Sequence, residues 1–198
     1  MLTTQLPGFK DITHDSQKTF RALLEALANP GNPLNIAVDM TPPKGLTASS
    51  AAACLTLTDL ETAVWLQPDL ASDVKDWLRF HAGCRFTTTA SKADFAVVAD
   101  VENIDLKQFC WGSAEAPEAS TTLLIQVNAL QGGETVTLSG PGILHRQKIS
   151  PQLPLSFWQQ WQANYSAYPQ GVDAFLFDAH SVLGLPRTAC AVVQLDEA

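Results

Sequence analysis

The stretch that most constrains this chain runs from Thr47 to Thr58, TASSAAACLTLT, which holds no charged residue and carries Ala48, Ala51, Ala52 and Ala53. Alanine is the strongest helix former, and a helix apolar on most of its faces has no side to offer water. Such a helix has to be buried among other elements. With 46% apolar residues in 198, the chain has material for one continuous core, and its length suits a single domain over 1–198.

The elements around that helix alternate. Phe20, Leu23, Leu24 and Leu27 recur at three- and four-residue steps and form one apolar stripe, which predicts a helix from Asp15 to Ala28. Asn29-Pro30-Gly31 stops it, because proline cannot continue a helix and glycine tolerates the left-handed turn. Thr62 to Gln67 reads as a strand. Ser72 caps a helix to about His81, with Val74, Trp77 and Leu78 inward and Gly83 as terminator. Phe95 to Ala99 and Leu123 to Val127 read as strands, and Glu134 to Leu138 follows Gly132-Gly133 as the second arm of a hairpin. Pro154 to Tyr165 carries Phe157, Trp158 and Trp161 at helical spacing. Ala174 to Phe177 and Ala191 to Leu195 close the series as strands. This order implies an α/β fold, a mixed sheet with helices on both faces.

Charge narrows the function. The formal net charge is −8, and the 12 Lys and Arg residues form no run. Nucleic-acid binding needs a basic stripe and anionic membranes a basic cluster, so neither is expected. No apolar stretch reaches the roughly 18 residues that cross a bilayer. The N-terminus shows no basic region followed by an apolar run, which points away from a signal peptide. Cys54, Cys84, Cys110 and Cys190 contain no CxxC pair, so free thiols and a cytoplasmic location are expected. Charged residues make up only 16% of the chain, which leaves apolar surface for a partner to cover.

Several constellations bear on chemistry. His81-Ala82-Gly83-Cys84 has a metal-like spacing, but a zinc site needs three or four ligands and no companion pair lies nearby, so no metal is expected. A histidine at a helix C-terminus also interacts favourably with the exposed carbonyls. Ser139-Gly140-Pro141-Gly142-Ile143 is neither a phosphate loop nor a nucleophile elbow, and reads as a tight turn. Tyr168 to Asp173 reads as a turn entering a strand, with Asp173 bonding backbone donors or standing at a ligand or partner edge. Arg187, after Leu185-Pro186, has two readings: a fork for a phosphate or carboxylate, or an ion pair with Asp59, Glu61 or Asp173. Asp59-Leu60-Glu61 reads as a solvated helix end or loop rather than an acid–base dyad. The five tryptophans read as core or interface.

In order along nearly the whole chain, a series of short stretches resembles the PhnH family of the bacterial carbon–phosphorus lyase system. They are Phe20-Arg21 with Leu23-Leu24 and Pro30-Gly31; Leu55-Thr56-Leu57 with Asp59, Glu61-Thr62 and Val64-Trp65-Leu66; and Leu78-Arg79-Phe80-His81. Ala116-Pro117-Glu118-Ala119, Gly140 to Ile143, Pro151-Gln152-Leu153-Pro154, Pro169 with Gly171-Val172-Asp173, and Leu185-Pro186-Arg187-Thr188 follow. Asn29 departs from the pattern, since a charged residue is frequent there.

The resemblance implies a three-layer α/β/α fold with a mixed sheet, similar to the large domain of pyridoxal-phosphate-dependent transferases but without the cofactor. Lys148, the nearest lysine candidate for such a cofactor, lies in a polar stretch. The resemblance also implies a homodimer that joins PhnG, PhnI and PhnJ, and that acts with PhnL as well. Its role would be to support displacement of adenine from ATP by an alkylphosphonate. No catalytic residue carries over. His81, Asp173 and Arg187 are the candidates for a ligand or partner surface. A stand-alone hydrolase or transferase, and a true pyridoxal-phosphate enzyme, are the alternatives.

Overall fold

The structure, a computed structural model, describes residues 6–70 and 72–194. Its centre is a seven-stranded mixed sheet. β1 (Leu34–Asn35), β2 (Ala63–Leu66), β3 (Arg85–Phe86), β4 (Phe95–Val98), β5 (Thr122–Gln126), β8 (Asp173–Phe177) and β9 (Ser181–Leu185) lie in the order β1-β9-β8-β5-β4-β2-β3. From β3 through β8 the neighbours are parallel; β9 is antiparallel to both β8 and β1. A second sheet of three antiparallel strands joins β10 (Cys190–Val193), β6 (Val136–Ser139) and β7 (Gln147–Ile149).

Side-chain alternation sorts the core into two layers. Val64, Val97, Leu124, Phe175, Phe177 and Val182 point to one face of the large sheet. There they meet α1 (Ile12–Ala28), α2 (Ala48–Leu57) and α3 (Ser72–Ala82). Trp65, Ala96, Val98, Leu123, Ile125, Ala174 and Leu176 point to the other face, against α4 (Leu155–Ser166) and the small sheet. Central parallel strands covered on both faces read as continuous apolar runs, which is the pattern of AVWL, FAVV and DAFLF. α2 is buried as its composition requires, with Ala51, Ala52, Ala53 and Cys54 shut off from solvent. Thr47 caps it by accepting from the Ser50 amide. α1 rides directly over β9 at Gly184, where a Cβ would fall 2.3 Å from the Ala26 carbonyl oxygen.

Three expectations need correction. Leu123–Val127 and Glu134–Leu138 do not form a hairpin: β5 lies between β4 and β8, and β6 crosses into the small sheet with β10 and β7. Gly132-Gly133 makes the turn, but Gly133 is pressed onto the Pro151 carbonyl oxygen, 2.2 Å from where a Cβ would sit, so the chain is steered out of the large sheet. The α1 stripe also divides. Leu23 is buried, whereas Phe20 is 49% and Leu24 59% exposed, and Ala26 supplies the inward contact. Ser72 is the first residue of α3 rather than its cap. β9, with the short strands β1, β3 and β7, was not anticipated. The last expected strand ends at Val193, and its predicted end, Leu195, lies outside the described residues.

Candidate functional site

The sequence candidates fall in two places. Asp173 and Arg187 meet at the edge of the large sheet where its parallel strands begin. Asp173 opens β8 beside Thr122 of β5, and Arg187 follows β9 by two residues, across the β8–β9 pair. The Asp173 carboxylate accepts from the Arg187 backbone amide at 2.7 Å, and from Nε at 3.2 Å and Nη2 at 2.5 Å. Nη2 also donates to the Ser120 hydroxyl at 2.5 Å, and Nη1 to the Pro117 and Pro169 carbonyls at 2.8 and 3.4 Å. Of the three partners open to Arg187 in the sequence, Asp173 is the one it takes. The guanidinium side chain is 12% exposed, and each of its three nitrogens is committed within the chain. It ties together the segment before β5, the turn before β8 and the segment after β9.

His81 lies elsewhere, in the last turn of α3. Its Nε2 is 2.9 Å from the Leu6 carbonyl oxygen, which also accepts from Trp77 Nε1 at 3.0 Å. The ring packs against Trp77 and Phe80. Cys84, its partner in the metal-like spacing, is buried. Burial pushes its thiol above the ordinary range, against a hydrogen bond with Thr58. Cys54 is pushed up to about 12, first by burial and then by the neighbouring Cys84. Among the described residues no group of three or more His, Cys, Asp and Glu side chains is placed to hold a metal ion. Asp59 accepts from the amides of Glu61 and Thr62, a turn at the end of α2. Lys148 is exposed in the middle of β7, paired with Thr137.

The opposite sheet edge, where parallel strands end, is the usual place for ligands in open α/β sheets. The connection after β2 leaves through α3 on one face, and that after β4 leaves on the other face through Val101, Ile104 and Leu106. The crevice between them is closed by Gln67. Its Oε1 accepts from the amides of Ala99 and Asp100 at 2.9 and 2.8 Å, and its Nε2 donates to the Asp100 carbonyl at 2.7 Å. Gln126, at the end of β5, likewise holds the entry to α2 through the Thr47 amide and the Gly45 carbonyl. Two open pockets flank these stitches. One of about 270 Å³ lies beside Lys75, Phe86, Thr87 and Thr88. The other, of about 510 Å³, lies between the end of β5 and the small sheet. Neither was legible in the sequence, since each is assembled from separate segments.

The exposed apolar residues form the remaining surface feature. Phe20 and Leu24 stand on α1; Phe80 of α3, beside His81, is 69% exposed, and Leu60 is 74% exposed. No helix among the described residues is long and apolar enough to cross a membrane.

The fold is thus a mixed α/β sheet in which Asp173 and Arg187 are engaged within the framework, while apolar side chains of α1 and α3 face outward. Residues 7–191 match the family described as "Bacterial phosphonate metabolism protein (PhnH)", and the chain belongs to that family. The alpha-D-ribose 1-methylphosphonate 5-triphosphate synthase subunit PhnH of Rhizobium meliloti (strain 1021) is 39% identical over 186 residues, covering 91% of this chain and 92% of that protein. HtxG of Stutzerimonas stutzeri, provisionally named a C-P lyase subunit protein, is 31% identical over 173 residues, covering 87% and 83%.

Proposed function

We propose that this protein is a subunit of the carbon–phosphorus lyase assembly, acting in the step that builds an alkylphosphonate ribose 5-triphosphate. The observation that carries the reading is the 39% identity, over nine-tenths of both chains, to a subunit named for that synthase. In the reaction proposed, a phosphonate oxygen attacks the anomeric carbon of ATP's ribose. The bond to the base nitrogen breaks, and adenine leaves with a proton. The triphosphate needs cations and the departing base needs a proton donor. The single arginine at the Asp173 edge is already engaged, so the bulk of that chemistry belongs to other subunits.

In this reading the chain is one PhnH-like domain with a fold like that of pyridoxal-phosphate transferases, works without that cofactor in the cytoplasm, and pairs with itself and with PhnG, PhnI, PhnJ and PhnL. The outward apolar residues of α1 and α3 are the contact surface, with His81 at the edge of the Phe80 patch. Asp173 and Arg187 hold the turn after α4 that carries exposed Tyr168, a position apart from the α1 and α3 patch. The test is co-purification with the partner subunits, followed by an assay of adenine release from ATP and methylphosphonate with and without this chain. Adenine release independent of the chain would remove it from that step. A colour from bound pyridoxal phosphate, abolished by changing one lysine, would favour the cofactor enzyme instead.

A further inference from the structure

The β6–β7 hairpin of the small sheet carries charge opposite in sign to that of the chain. From residue 135 to 172 there is no Asp or Glu, while Arg146 and Lys148 both lie in that stretch, with His145 beside them. Among the described residues none of these three joins an ion pair. At the tip stands Leu144, 90% exposed, more than any other large apolar side chain among the described residues. We propose that this hairpin is a second docking surface, which seats Leu144 in an apolar socket of a partner protein rimmed by carboxylates. The inference rests on the subunit reading above only for the proteins used as probes.

Strand alternation sets the face. Successive side chains of a strand point to opposite sides. Ile149 is buried in the core behind β6, and Gln147 lies against Gly31. Arg146 and Lys148 therefore point outward, and both are exposed. Lys148 pairs with Thr137, which pairs on its other side with Val192 of β10, itself 51% exposed. An antiparallel sheet can leave one face to solvent; here that face sets a basic edge beside apolar positions. The tip is also firmly mounted. Gly140 and Gly142 have φ of +140° and +81°, which glycine adopts without strain. A Cβ at Gly142 would run into the Ala28 carbonyl oxygen at the end of α1, and one at Gly140 into the Thr188 carbonyl oxygen. The Ile143 amide donates to the Gly140 carbonyl at 3.1 Å, and Ile143 packs against the core.

The tight turn read from Ser139 to Ile143 is thus a mount. It turns Ile143 inward and leaves the next three residues, Leu144, His145 and Arg146, exposed. A surface held in its bound shape loses less entropy on docking. The combination selects a protein as occupant. A small ligand is held in a concave site, whereas these side chains project from a tip, and Leu144 offers an anion nothing. An anionic membrane draws on clusters of about four to eight Lys and Arg, and the hairpin has two, on a chain of net charge −8. A two-fold dimer centred on the hairpin would set the same basic tips against each other. A leucine flanked by cations suits an acidic protein surface: apolar burial gives affinity, and complementary charge steers the approach.

The experiment measures binding of the full chain to PhnG, PhnI, PhnJ and PhnL, separately and mixed, for the unaltered protein, Leu144→Ser, and Arg146→Glu with Lys148→Glu. A photo-crosslinking residue at position 144 reports what the tip touches. Leu144→Ser is expected to weaken capture about tenfold or more. The charge reversal should slow association, a difference that shrinks in about 1 M salt. Melting should be unchanged, because all three side chains are exposed. Cross-links should fall on a partner segment that carries Asp or Glu. Capture that both variants leave unchanged overturns the docking surface while the subunit reading stands; an unaltered chain that captures no subunit overturns both. Cross-links to a second copy or to a segment without carboxylates overturn the proposal. So does saturable movement of the Leu144 and Arg146 amide signals by inorganic phosphate, or binding to phosphatidylserine vesicles that Leu144→Ser abolishes. Should either variant melt early, the cross-links decide alone.

Discussion

Arg187 illustrates how much a side chain's surroundings decide. Its backbone amide and guanidinium both bind Asp173, and its remaining donors reach Ser120, Pro117 and Pro169. Removing one partner of a part-buried, hydrogen-bonded ion pair leaves the other under-satisfied. Arg187→Ala is therefore expected to cost about 1–3 kcal/mol of stability, read as a lower denaturant midpoint. Arg187→Lys should recover only part, since an ammonium cannot reproduce a bidentate fork. A near-native midpoint with lost subunit assembly would instead make the arginine a contact residue. The sequence could name Asp173 among three possible partners, but not Ser120 or Pro117, which approach only because β5 and β8 are neighbours in the sheet. Cys54 carries the pH dependence. Burial pushes its folded value up to about 12, above the ordinary thiol range. The unfolded chain therefore releases this proton first, and stability present below about pH 9 falls as pH rises toward about 12. In the native protein Cys54 should resist alkylating reagents at neutral pH, while denaturation without reductant should release four titratable thiols. Fast native labelling of Cys54 would contradict its burial.

At the scale of elements, the sequence is most informative where an element is satisfied by its own composition. α2 and the strands AVWL, FAVV and DAFLF follow from apolar content alone. The misread β5–β6 hairpin has a different cause. A glycine pair between two apolar runs signals a turn, but not which sheet the second run joins. That choice is made by β10, some fifty residues later, whose pairing with β6 buries Val136 and Leu138 against α4. β10's other neighbour is α4, where Trp161 and Gln162 donate to the Ala189 and Ala191 carbonyls. Side-chain stitches of this sort leave no periodic trace, and Gln67 is the strongest of them. Gln67→Ala removes three hydrogen bonds from the ends of β2 and β4 and leaves two backbone amides and a carbonyl without their partner. The expected loss is about 1–3 kcal/mol, together with faster amide exchange at Ala99 and Asp100. Unchanged exchange at those two amides would show that the loop holds without the glutamine.

For the whole molecule, the question is what covers the apolar residues that folding leaves outside. A net charge of −8 favours keeping copies of the chain apart. Yet α1 presents Phe20 and Leu24, four residues apart on one side, with Ile12 a further two turns back. The buried stripe of the same helix, Leu23 and Ala26, is complete without them. Their hydrophobicity therefore does nothing for the folded monomer, and a partner surface is the use consistent with it. A stable interface of standard size buries on the order of 1,600 Å² in total, and a two-fold dimer is the commonest way to build one. The protein is accordingly expected to sediment as a dimer at micromolar concentration. Leu24→Glu should shift it to monomer while changing the stability of the fold by less than about 0.5 kcal/mol, as surface substitutions do. The same variant should be compared in pull-down with the lyase subunits. If self-association and subunit capture fall together, both use α1; if only self-association falls, the subunits dock on another face, for which Phe80→Glu on α3 is the matching test. A Leu24→Glu protein that remains dimeric and captures every subunit would take α1 out of the interface altogether.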